Sequence, residues 1–206
     1  NNDFTIGSST TFNASSYTFS LYRHFTNNGT FTAGTSTVQL LGGNVANITG
    51  ATTFNSLVEN KNSATISVNL LNNIITNDLT LTAGNMQTGL NSVTITGTRS
   101  GNGIIIGTIT HSHAFSNGTA YYFEGPNNSL TFTSPSGITA VTVTVSIGSV
   151  VDFNTGAESV TREFNVDIPS GTYTNATWRM HYEDNELNAF DEPNLSHYHY
   201  NSGTSM

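Results

Sequence analysis

The chain has no cysteine, one tryptophan, four prolines and only five basic residues in 206. Without cysteine, no disulfide staples the fold. Five Lys and Arg against thirteen Asp and Glu leave no basic stripe to neutralise a phosphate backbone, so nucleic acid is not an expected partner. No apolar run approaches the roughly eighteen residues a spanning helix requires, and no membrane insertion is expected. Charged residues make up 9% of the chain, where a soluble domain carries about a quarter. Hydroxyls and amides must supply the solubility that charge does not.

They are abundant: 34 Thr, 27 Asn and 23 Ser, or 84 of the 206 residues. Thr favours pleated, half-buried surfaces, while Asn, Ser and Gly supply tight turns. This is the composition of extended structure with many corners, and regularly placed Val, Ile, Leu, Phe and Tyr argue against disorder. Only Asp184–Asn188 is a place for a helical turn. The sequence opens directly into strand-like residues with no signal peptide, which reads as a segment of a longer, exported chain. Its charge is uneven. Residues 1–120 hold three acids and three bases, whereas residues 121–206 hold ten acids against Arg162 and Arg179. The step suggests two domains.

The first half has a long period. Apolar anchors at Phe4, Phe25, Ile48, Leu70 and Val93 are spaced by 21, 23, 22 and 23 residues. A repeat in the low twenties is the length of one β-solenoid coil, three short strands joined by three corners, and each coil covers its apolar face only by stacking on the next. Asn27-Asn28-Gly29 and Gly42-Gly43-Asn44 supply corner residues. The second half changes rhythm. Ile138–Ile147 and Ser159–Ile168 alternate over ten residues each, and Ala176, Trp178, Met180 and Tyr182 share one face of a further run. Long antiparallel strands with one wet face indicate a sandwich. The expected fold is all-β, a β-solenoid-like region at 1–102 followed by an antiparallel β-sandwich at 103–206. The break falls in the Gly-rich stretch Gly97–Gly107, and Trp178 is expected in the sandwich core.

Two passages resemble a known group. Phe25–Gly43, continuing through Ile48-Thr49-Gly50 and Thr53–Leu57, is similar to the repetitive adhesin-like surface proteins of Bacteroidetes-type bacteria. Residues 159–200, with Arg162, Ala176–Tyr182, Asp184–Asn188 and Asp191–Leu195, resemble the module that often follows those repeats. The resemblance implies export, surface display and a structural or adhesive use, with no catalytic residues to carry over. The chain departs from the pattern after Gly203, where a further Gly-rich turn and Trp-bearing strand would be expected.

The expected function is therefore an extracellular structural or adhesive module, a segment of a stalk or filament, and not an enzyme. Its partners would be copies of itself or flanking modules, with surface glycans the alternative through Tyr121, Tyr122, Tyr198 and Tyr200. Among candidate sites, the acids Asp184, Glu186, Asp191 and Glu192, beside Glu183, offer oxygen ligands for Ca²⁺. Their spacing is not that of an EF-hand, and carboxylates at such a corner also bond backbone amides. No other cofactor is indicated. His111-Ser-His113 and His197-Tyr-His199 are i, i+2 pairs that share a strand face, an arrangement able to hold Zn²⁺ or Cu²⁺ with a third ligand such as His181. Exposed strands also carry such pairs with no metal. No nucleophile elbow accompanies the many serines.

Overall fold

The computed structural model describes residues 3–148, 159–188 and 191–195. The chain forms two compact units, residues 1–146 with 164–181 and residues 147–163 with 182–206. It is all-β, and the first unit is built on a parallel β-solenoid of about six turns.

Each turn crosses three faces. The first face stacks Phe4–Ile6, Phe25–Asn27, Ala46–Thr49, Ser67–Leu70 and the openings of Asn85–Ile95 and Ile104–His111, all parallel. The second face begins with Thr11–Asn13 on Thr30–Thr32. Further along the stack it is carried by Thr52–Phe54, Ile74–Thr76, Val93–Ile95 and Ile109–His111. The third stacks Thr18–Leu21, Thr37–Gly42, the latter halves of Thr52–Lys61 and Ile74–Ala83, and Arg99–Ser100. The long strands thus serve two faces each.

Inward positions form columns because parallel register puts like on like. Phe4 lies on Phe25, Phe25 on Ile48 and Ile48 on Leu70. On the third face Phe19, Val38, Leu57 and Leu79 follow one another. Rings at Phe25, Phe31 and Phe54 interlock at 5.1–5.6 Å. Burying each such side chain is worth about 1.5–3 kcal/mol, and no coil could bury its own without a neighbour.

The stack continues beyond residue 102. Ile104–His111 lies parallel on Asn85–Ile95, with Met86 opposite Ile105 and Val93 opposite Ile109. The Gly-rich stretch before it is a set of close-packed corners. A Cβ on Gly101, whose φ is +88°, would lie 2.2 Å from the Leu81 carbonyl oxygen, and one on Gly103 2.4 Å from that of Gly84. Glycine there permits one coil to sit on the last.

Antiparallel pairing then begins. Val141–Ile147 runs antiparallel to Ile104–His111, burying Val141, Val143 and Val145, and Arg162–Asp167 pairs with it in turn. On the outer surface, Thr108 meets Thr144 and Thr110 meets Thr142 through paired hydroxyls at 3.2 and 2.9 Å. Ala120–Tyr122, Ser129–Thr133 and Asn175–Arg179 form a separate three-stranded antiparallel sheet. Trp178 faces the side expected but is half-buried rather than buried, lying against Phe123 and Phe164. Asn175, Thr177 and Arg179 alternate with it on the exposed side.

Candidate functional site

The two ends of the stack are built differently. At the first coil, Phe4 N–H donates to His24 O and Ile6 O accepts from Asn28 N–H, so these inward residues point their backbone groups toward the next coil. By alternation, Thr5 directs its N–H and C=O the other way. The same holds for Thr18 and Ser20, since Tyr17 O accepts from Thr37 N–H. Among the described residues, no strand pairs with this outer side of Phe4–Ile6, Thr11–Asn13 or Thr18–Leu21. One phenylalanine from each face closes across it. Phe4, Phe12 and Phe19 are half-buried, with ring centroids 4.9, 5.4 and 6.3 Å apart.

At the other end two of the three faces carry a further segment. Val141–Ile147 lies across the second face, and Glu124 O accepts from Ile105 N–H on the first. On the third face Arg99 turns inward on Leu79 and donates to the carbonyls of Gly101, Gly103 and Glu124. Burial lowers its pKa to about 10. Phe123 is fully buried, and Asn128 Nδ2 donates to Arg179 O at 3.1 Å. Beside Arg99 an open cleft of about 250 Å³ is lined by Ser100, Gly101, Asn102, Tyr122 and Pro126.

His111 ends the inward column of the second face, on Ile95. As expected from the i, i+2 spacing it shares a side with His113, and the two rings meet with His111 Nδ1 3.1 Å from His113 Nε2. Burial, the largest influence, pushes the pKa of His111 down to about 4, and the neighbouring His113 and Arg99 act in the same direction. Phe115, Tyr121 and Phe123 surround the pair. His181 is described but joins no metal-binding group of three; no such group of His, Asp or Glu occurs among the described residues. His197, Tyr198, His199 and Tyr200 lie outside the described residues.

In the second unit the acidic residues have distinct partners. Glu186 is buried and takes Arg162 in a two-pronged ion pair, Nε to Oε2 at 2.7 Å and Nη2 to Oε1 at 2.8 Å. Its Oε2 also accepts from Glu183 N–H at 3.0 Å. Exposed Glu192 accepts from the Tyr182 hydroxyl at 3.1 Å, while Asp184 and Asp191 are exposed. Glu186 therefore spends its oxygens on organising the chain around the short helical turn Asp184–Glu186.

Sequence reasoning did not single out Glu59 and Lys61, which point into the solenoid. Glu59 is fully buried with neither carboxylate oxygen hydrogen-bonded, and Lys61 Nζ donates to Leu41 O at 3.0 Å. Desolvation raises the Glu59 pKa to about 8, partly opposed by Lys61. The available signal was parity with Leu57, which is inward; a charge is ordinarily assigned outward.

No protein-family model, curated protein or solved structure matches this chain.

Proposed function

We propose that the chain is an extracellular structural or adhesive module of a bacterial surface protein, a segment of a stalk or filament rather than an enzyme. The observation that carries this reading is the first coil, whose outer strand edges pair with no strand among the described residues and across which the half-buried Phe4, Phe12 and Phe19 rings meet. Open edges of this kind recruit another strand. Two faces of the far end carry further segments, so coils add at the first coil, and the antiparallel strands that follow Ile104–His111 serve as a sandwich-type module. The low charge of residues 1–120 fits, since little repulsion opposes packing there. The resemblance to adhesin-like repeats supports surface display. Antibody labelling of intact producing cells tests the location. Labelling at the surface is expected, and signal confined to the cytosolic fraction contradicts the reading.

A second reading, a glycan-binding module, is favoured by the cleft beside Arg99. Tyr122 and Pro126 offer apolar faces there, and Ser100 and Asn102 offer hydrogen-bonding groups. Glycan-array binding that Tyr122→Ala abolishes would establish it, and an array blank for the parent protein would remove it.

A further inference from the structure

The hydrogen bonds around His111 and His113 fix more than the positions of the two rings. His111 Nε2 lies 2.7 Å from Tyr122 O, and His113 Nδ1 lies 2.9 Å from Ala114 O. A carbonyl oxygen only accepts, so each of these nitrogens carries the proton. In the neutral rings that leaves the lone pairs on His111 Nδ1 and His113 Nε2, the two atoms that face each other at 3.1 Å. Two lone pairs so placed repel unless a cation lies between them or at their common apex. Ring N–H to backbone carbonyl is also the outer-shell contact that orients a metal-ligating histidine and sets its tautomer.

We propose that His111 Nδ1 and His113 Nε2 form a two-histidine site for a borderline divalent ion, Zn²⁺ or Cu²⁺. Imidazole nitrogens bind such ions at roughly 2.0–2.1 Å. Two of them would then be about 3.3 Å apart in a tetrahedral arrangement and about 2.9 Å apart as square-planar neighbours. The observed separation falls between these. His111 is held by its strand, being 2% exposed and opposite Val141, whereas His113 is only partly buried and gives the ion its way in. Solvent or a group from a bound molecule completes the coordination, so the site is open rather than closed. The remaining cation that would satisfy the geometry is a proton shared by the rings, and the test separates the two.

The experiment is Cu²⁺ titration of the chelator-stripped full chain, followed by calorimetry and electron paramagnetic resonance, with Zn²⁺ competition. The parent should bind one equivalent with two nitrogens in the equatorial plane. His113→Ala should weaken that binding about tenfold or more, because a ligand is lost from a site already short of them. His113 is only partly buried, so this variant keeps the fold, which circular dichroism checks. Loss of the histidines outside the site is controlled by His197→Ala/His199→Ala, which should retain the equivalent. Binding equal in parent and His113→Ala overturns the proposal. So does a parent with no tight equivalent whose imidazole nitrogen resonances show a shared proton undisturbed by metal.

Discussion

Glu59 is buried in the solenoid interior with neither carboxylate oxygen hydrogen-bonded. A carboxyl whose pKa is raised on folding holds its proton more tightly in the native chain than in the unfolded one. Stability therefore falls as pH rises from about 4.5 to about 8, the ordinary and folded values, and levels off above that. Between pH 4.5 and 7 the loss from this one group is about 3 kcal/mol. Glu59→Gln should flatten that part of the stability–pH curve, leaving parent and variant alike near pH 4.5 and the variant more stable at pH 8. Denaturant unfolding at several pH values measures it. Arg162 presents the opposite situation, a buried charge whose partner is in place. Arg162→Ala should destabilise the second unit by about 3–5 kcal/mol, because Glu186 would keep its burial and lose its counter-charge. With Glu186 so engaged, millimolar Ca²⁺ should leave the parent's melting temperature unchanged; a rise of several degrees would return Asp184, Glu186, Asp191 and Glu192 to the role of ligands.

At the scale of elements, much of the solenoid was legible and its end was not. Phe4, Phe25, Ile48 and Leu70 occupy one column because the first coils keep a nearly constant length. Val93 does not join them. It lies opposite Ile74 on the second face, since the coils shorten and Val68 pairs with Met86, eighteen residues on. Five anchors cannot reveal a change of coil length, because any inward residue two positions away serves as well. Gly97–Gly107 read as a break because glycine marks a linker and a tight corner equally. What separates them is the neighbouring coil, which a local reading does not contain. Gly101→Val should therefore behave as a core lesion. Its side chain would meet the Leu81 backbone at a positive φ, and a loss of at least about 2–3 kcal/mol is expected by thermal unfolding. A neutral substitution would mean the corner is open. The His111–His113 pairing was legible from i, i+2 spacing on a strand. The carbonyls of Tyr122 and Ala114 that face their far nitrogens were not, since no local spacing places them there.

For the whole molecule, the difference between the two ends limits what can assemble. A solenoid open at both ends would stack head to tail into a fibre. Val141–Ile147 and Glu124 lie on two faces of the far end, so the first coils, whose outer edges pair with no strand among the described residues, are where two copies are predicted to meet, in a closed two-fold contact that stops at a dimer. The backbone groups that would make the contact are those of Thr5 and Thr18, outward in the ladder, and proline there removes a donor without costing an internal hydrogen bond. Sedimentation velocity over a wide concentration range, comparing the parent with Thr5→Pro/Thr18→Pro, addresses this directly. A concentration-dependent monomer–dimer equilibrium with no larger species, lost in a variant that melts like the parent, is the predicted result. Open-ended oligomers, or a dimer that survives both prolines, would contradict it.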